Sequence, residues 1–424
     1  MNHAWIPRRP ELALLALLAA AVPASAEVLV VDAAGGPGVT ASTIQAAVDV
    51  ALEGDTILVR DGFYVGFTID GKSLSVVADG PNVVAVQSTS LNSAPPAISV
   101  LNLVDGQEVV VRGLRTNFGV SVVNCDGAVW FDGLFVVGAS LTSGCQFTSN
   151  PGADVESSTR VTFTRCTLVG EMGNANAFWF AGSAAGVCAV SSTLQLFDCS
   201  ITGGDGISIG TMQLAQPGAP GLEVDGSTVT IVGCTIVGGA GGLTFGPVCD
   251  VVHPTGGAGV AFVGTPGTVQ SAASTAVGGA ADLGPLCPGQ TGPQGPAISG
   301  TGTIVPLVGV ARHLEANSPV RGGETLTFDV EGQAGEVPLV FVSLDHEPIP
   351  LLAFSGVLLV GLPPSDVFVL GALPASGQAS LSFPVPPIGL VGALTYYAQG
   401  VFLDPTAGLW LGAGTTVTLL DPSF

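Results

Sequence analysis

The chain has 424 residues, ten Lys and Arg against 32 Asp and Glu, and a formal net charge of -22. That balance excludes nucleic acid and anionic membrane surfaces as partners, since both require clustered Lys and Arg. With 47% hydrophobic and 10% charged residues it also excludes a disordered chain, which needs the reverse.

The first 26 residues read as a cleaved signal peptide. Arg8 and Arg9 precede the apolar run LALLALLAAAV, and Ala24-Ser25-Ala26 supplies small residues for the peptidase. The run is too short for a bilayer span, and no later window holds 18 unbroken apolar residues. The expectation is therefore a secreted or cell-surface protein, starting at Glu27, without a membrane span. Lys72 is the only lysine against nine arginines, while Ala, Gly and Pro are frequent, a bias that resembles a GC-rich bacterial genome. Eight cysteines behind an export signal predict at least one disulfide, with Cys188 and Cys249 as participants.

A helix is predicted over STIQAAVDVALEGD. Ser42 and Gln45 have capping-box spacing, and Gly54 closes the other end. Ile44, Ala47, Val48, Ala51 and Leu52 fall on one apolar face, suited to cover the open first rung of a solenoid.

Four segments then repeat: VWFDGLFVVG from Val129, VTFTRCTLVG from Val161, LQLFDCSITG from Leu194 and VTIVGCTIVG from Val229. Their starts lie 32, 33 and 35 residues apart. Weaker copies are SLSVVADG, EVVVRGLRT, GVAFVGTPG and AISGTGTIV. Each unit is two short strands that cannot bury their apolar side alone, so units must stack. The predicted inner columns are Val129, Val161, Leu194, Val229; Phe131, Phe163, Leu196, Ile231; and Leu134, Cys166, Cys199, Cys234. A propeller blade needs four strands per repeat, and a sandwich would not repeat at near-constant spacing. The fold class read here is all-β: a parallel β-helix over 27–308, a linker over 309–318, and a β-sandwich accessory domain over 319–424. Short alternating runs from TLTFDVEG to TTVTLL, separated by Pro and Gly, predict the sandwich.

The words TIQAAV, GDTILVRDGFY and DGKSLSVV carry a resemblance. Residues Val28 to Gly80 are similar to the amino-terminal cap and first rungs of pectin-lyase-like right-handed β-helices, most of all those resembling pectin methylesterases. The resemblance implies a right-handed coil. It does not carry over the chemistry. The family's Gly-x-Tyr-x-Glu stands here as Gly62-Phe63-Tyr64-Val65-Gly66, and its later Gln-Asp and Asp-Phe motifs have no counterpart. The clustered aspartates, Gly-His-Gly and basic triplet of polygalacturonase-like coils are absent. Val129-Trp130-Phe131-Asp132-Gly133 is similar to the Trp-Ile-Asp-His signature of pectate lyases, with Gly133 where the His belongs. Arg112, Arg115, Arg160 and Arg165 are the basic residues in that region, as easily surface charges as lyase groups.

No catalytic, metal or cofactor site is predicted. Asp198 and Asp205 are the nearest carboxylate pair, but loop aspartates more often form turns. Cys249, Asp250 and His253 are better read as a disulfide loop than as metal ligands. The remaining lead is an outward column of Trp130, Thr162, Gln195 and Thr230, an aromatic beside hydroxyl and amide groups that suits a neutral sugar. Longer loops covering Trp130 and Trp179 are the alternative. The expected function is an exported glycan-binding or structural protein, its partner a neutral polysaccharide or cell-surface material. The alternative is a polysaccharide lyase, hydrolase or esterase.

Overall fold

The computed structural model describes residues 26–80, 83–87, 96–138, 150–176, 179–206, 216–242, 254–280, 293–307, 309–351, 356–386, 392–404 and 408–424. Two compact units divide the chain. Among the described residues, one comprises Leu29–Ala51 and 57–307; the other comprises Gly309–Phe424 with 26–28 and Leu52–Thr56.

In the first unit the chain advances through three short strands per rung. Ala128–Asp132 leads to Phe135–Val137, then to Ala153–Glu156, and the next rung opens at Arg160–Thr164. Like strands pair in parallel, as Ala128–Asp132 does with Glu108–Arg112 before it and Arg160–Thr164 after it. The strands gather into parallel sheets of ten, eight and eight members, an arrangement consistent with a parallel β-helix. The first sheet holds Ala128–Asp132, the second Ala153–Glu156 and the third Phe135–Val137.

The apolar columns read from the repeat form the core. Val129 is in register with Val161, Leu194 and Val229 in turn, and Phe131 with Phe163, Leu196 and Ile231. All eight are buried. The Phe131 and Phe163 rings stack at 4.7 Å, which adds about 0.5–1.5 kcal/mol to their burial. Cys166, Cys199 and Cys234 are buried free thiols. Left-handed residues bend the chain from the first sheet to the third. Gly133 (φ 64°), Arg165 (φ 53°), Asp198 (φ 53°) and Gly233 (φ 66°) hold successive copies of this corner. Asp198 is accordingly a turn residue.

The helix runs from Ile44 to Val50, shorter than read, and Thr43 rather than Ser42 is its N-cap, its hydroxyl accepting from the Ala46 amide. Gln45 does not close a capping box. Its side-chain oxygen accepts from the Thr68 amide at 2.7 Å and so ties the helix to the strand Phe67–Asp70. Ile44, Ala47, Val48 and Ala51 join the core, whereas Leu52 lies beyond the helix end and is 72% exposed. Lys72 donates to the Val48 and Ala51 carbonyls at 2.9 and 2.7 Å, placing its charge at the helix C-terminus.

Between the third sheet and the second, glycine-rich segments lead out of the coil (203–206, 238–242, 278–280) and back to it (216–221, 254–259, 293–297). Gly203 and Gly206 donate to Val237 and Ala240 of the next rung, and Gly238 and Gly241 to Val277 and Ala280. Donors three residues apart give the period of a polyproline-II-type helix, not the two-residue period of a strand. The residues between those donors bond outgoing to returning segments. Gly204 donates to Ala184, Ala219 to Gly204, Gly239 to Ala219, Gly257 to Gly239 and Gly279 to Gly257, all at 2.7–2.9 Å. The segments pack backbone on backbone, so a Cβ on Gly204 would overlap the carbonyl of Glu171, and one on Gly239 that of Gly204. This close approach is why the later repeats, ending at Gly203, Gly238 and Gly278, each continue into a second glycine.

The second unit carries two larger sheets. His313–Ala316, Thr325–Glu331 and Gln378–Pro384 form one of three strands. Val320–Arg321, Gly408–Leu420, Ala393–Asp404, Val337–Ser343 and Asp366–Val369 form one of five. Their apolar sides share one core that includes Leu326, Phe328, Val340, Phe368, Phe383 and Phe402. Arg312 and Glu336 form a buried ion pair, and the guanidinium also lies 4.6 Å from the Trp410 ring.

Candidate functional site

The outward column of the first sheet has the predicted register but not the predicted exposure. Trp130 stacks on Thr162, Thr162 on Gln195 and Gln195 on Thr230. Their exposures are 0%, 0%, 3% and 4%, so none presents a surface to a sugar. Their polar atoms are also engaged. Trp130 Nε1 donates to Thr164 Oγ1 at 2.9 Å, Thr162 Oγ1 to Gln195 Oε1 at 3.2 Å, and Thr230 Oγ1 to Gln270 Oε1 at 3.4 Å. Trp179 begins the short strand Trp179–Ala181, and its side chain lies outside the described residues.

Beside that column, Asp132 is fully buried and takes ion pairs from Arg112 one rung before it and Arg165 one rung after. Thr164 Oγ1 donates to the same carboxylate at 2.9 Å. This buried carboxylate between two guanidinium groups is structural, held by charge-assisted hydrogen bonds. Arg160 pairs with Asp105. Arg115 lies over the Phe135 ring at 5.8 Å. The four arginines therefore do not converge.

Asp205 serves the glycine bundle, accepting from the Ala240 amide at 2.7 Å. Cys188 is a free thiol, which corrects the disulfide expected there. It sits inside a strand, between carboxylates on both neighbouring rungs. Cys249, Asp250 and His253 lie outside the described residues. Among the described residues no group of three or more His, Cys, Asp or Glu is placed to hold a metal.

The outward face of the second sheet is where titratable groups collect. Asp154, Cys188 and Glu223 are successive members of one column, on the strands Ala153–Glu156, Val187–Val190 and Leu222–Asp225. Glu156 and Asp225 belong to the next column of the same strands. The Cys188 thiol points at Glu223 Oε1, 4.0 Å away. A cavity of about 480 Å³ opens over Asp154, Cys188 and Glu223. Its wall is the returning side of the glycine bundle, including Ser183, Gln216, Pro217 and Pro220.

Burial, and then repulsion from Glu156, raises the Asp154 carboxyl above its ordinary range. Burial does the same at Glu223, aided by Asp225 and Asp154. The Cys188 thiol is pushed up to about 12, again by burial and then by Glu223 and Asp154. It is no thiolate nucleophile at neutral pH. Among the described residues no Lys or Arg pairs with Asp154 or Glu223. The groove thus offers two uncompensated carboxyl groups, a thiol, an amide and proline faces.

A pH dependence follows. The folded chain holds the Asp154 proton more tightly than the unfolded chain does. Its stabilising contribution is present below the ordinary carboxylate range, about pH 4, and is lost as pH rises through the folded value. Asp154→Asn should therefore raise the denaturant midpoint at pH 7 and flatten its fall between acid and neutral pH. An unchanged slope in urea titrations across that range would contradict the burial described.

Sequence reasoning missed this column. ADVESS, VCAVSS and LEVDGS each stand just ahead of a repeat segment and have its spacing, which was the available signal.

No family model matches the chain, and no curated protein matches it. Among solved structures it is similar to the superoxide reductase (neelaredoxin) from Ignicoccus hospitalis, with 14% identity over 26% of this chain and 80% of that one. The TM-score is 0.15, which carries no argument about fold or activity.

Proposed function

We propose that the protein is an exported scaffold that binds neutral glycan in the groove over Asp154, Cys188 and Glu223. In this reading the coil is a right-handed β-helix resembling the pectin-lyase-like superfamily. The helix Ile44–Val50 covers its first rung, and the two carboxyl-terminal sheets form a sandwich that acts as an accessory module. Residues 1–26 are its export signal.

The observation that carries the reading is the groove itself. Carboxyl and amide groups accept and donate hydrogen bonds to vicinal hydroxyls, while proline faces meet the apolar side of a sugar ring. Demethylation is not part of the proposal. Where the resembling family has its acid, a Cβ on Gly66 would stand 2.8 Å from the Ala97 carbonyl oxygen, leaving no room for a side chain.

A polysaccharide-cleaving reading is favoured by one observation. Asp154 and Glu223 stand two rungs apart, about 9.6 Å along the stack, near the separation of about 6.5–9.5 Å in inverting glycosidases. One experiment separates the two. Plant, algal and bacterial polysaccharides are assayed for retention of the full chain, and for new reducing ends or methanol. Retention weakened about tenfold by Glu223→Gln, with no product above a heat-denatured control, supports the binding scaffold. Turnover lost in Glu223→Gln replaces it with the enzyme, and retention unaffected by the substitution removes the groove from the account.

A further inference from the structure

The corner between the first sheet and the third carries more sulfur than its packing requires. Cys166, Cys199 and Cys234 follow the left-handed residues Arg165, Asp198 and Gly233 on successive rungs. Register is unbroken on both sides of them. Thr164, Phe197 and Val232 are in register before the corner, and Thr167, Ser200 and Thr235 after it. Each thiol donates to the carbonyl two residues earlier, that of Thr164, Phe197 or Val232, at 3.2–3.5 Å. The Cys199 amide in turn donates to Cys234 Sγ at 3.4 Å.

An oxygen fills the same role elsewhere. On the next rung the Ser274 hydroxyl accepts from the Cys234 amide at 3.0 Å and donates to the Ala272 carbonyl at 2.9 Å. At the corner from the second sheet to the first, serines occupy three successive rungs. Ser158 accepts from the Cys125 amide, Ser192 from that of Ser158 and Ser227 from that of Ser192, at 2.9–3.1 Å. Hydrogen bonding therefore does not explain three consecutive thiols. What sets them apart is reach. In-register Cα atoms on neighbouring rungs stand about 4.8 Å apart, inside the roughly 4.4–6.8 Å that a disulfide spans. All three side chains enter the same core, and the Cys199 thiol is in contact with those of both Cys166 and Cys234. Cys166 and Cys234 are two rungs apart, about 9.6 Å, which exceeds the limit of about 7 Å for a bridge.

We propose that this column is a disulfide site: when the chain folds in an oxidising medium, Cys199 bonds to Cys166 or to Cys234, and the third member stays a thiol. The oxidant is an external disulfide. One column thiolate attacks it, forming a mixed disulfide and releasing half of the oxidant as a thiol. The second column thiolate then displaces the other half. Two protein thiols are oxidised, one external disulfide is reduced to two thiols, and the protons pass to the leaving sulfurs. The bond must form as the rungs assemble. In the folded chain all three thiols are buried, and burial holds Cys199 in its protonated form, which is not the attacking species. Closing a loop of 33 or 35 residues then restricts the unfolded chain. The proposal is independent of the groove on the second sheet.

The test is refolding of the reduced, denatured full chain with and without oxidised glutathione. Free thiols are then alkylated and disulfide-linked peptides are mapped. With oxidant, the wild-type chain should yield a bridge from Cys199 to Cys166, to Cys234, or a mixture of the two. Its denaturant midpoint should exceed that of the chain refolded without oxidant. Cys166→Ser and Cys234→Ser should each keep one bridge, at the pair that remains. Cys199→Ser should have none within the column, its hydroxyl serving the backbone as Ser274 does. Should Cys199→Ser fail to fold, the wild-type map decides alone. Alkylation of all three column thiols in the oxidised wild-type chain overturns the proposal. So does a bridge between Cys166 and Cys234, or bridges from the column only to cysteines elsewhere.

Discussion

Alanine at Phe163 should lower the stability of the coil by about 3–5 kcal/mol, read as a shift of the denaturant midpoint at constant slope. The ring is fully buried, stacked on Phe131 and in register with Leu196 on the next rung. Neighbouring rungs are fixed by backbone hydrogen bonds on both sides, so they have little freedom to close over the missing ring. The cavity left behind then adds to the lost transfer energy. Thr167→Ala on the outward face is the comparison and should stay within about 0.5 kcal/mol. A Phe163→Ala loss below about 1 kcal/mol would show that the ring is not packed as described.

Gly204→Ala should be at least as damaging, by about 3 kcal/mol or more, although it adds a single methyl group. The obstacle is the carbonyl of Glu171, which is backbone and has no rotamer to change. Moving it would break the bond it accepts from Ala184, and with that the chain of bonds through Gly204, Ala219 and Gly239. Gly80→Ala, at a turn where nothing lies within 4 Å, separates this packing effect from conformational strain, because φ there is 96° and only strain acts. Equal losses at the two positions would refute a packing origin.

The coil was legible because its signal is chemical and periodic. Val161, Phe163 and Cys166 recur as Leu194, Leu196 and Cys199 one rung on, and the backbone pairs the first two in that register. Trp130 was placed on the correct side of its strand, yet alternation does not say whether that side meets solvent or protein. Asp154 and Glu223 escaped because their strands have short apolar runs, and because an acid beside a turn reads as a turn-former. The glycine doublets went unread for another reason. Their period of three comes from backbone hydrogen bonding, and they present no side chains whose pattern could reveal it.

That bundle has a consequence for how the chain can change over time. First-sheet strands stay in register although their starts lie 32, 33, 35 and 40 residues apart, from Val129 through Val161, Leu194 and Val229 to Val269. Some of the excess falls between an outgoing glycine segment and its return, as in 207–215, 243–253 and 281–292. Both ends of each such stretch are clamped by the bundle whatever lies between them. Doubling its length costs only about 0.6 kcal/mol in loop closure. The coil is thus a mount on which stretches of new length and composition can be exchanged without retuning the core, much as recognition loops are varied on a constant framework.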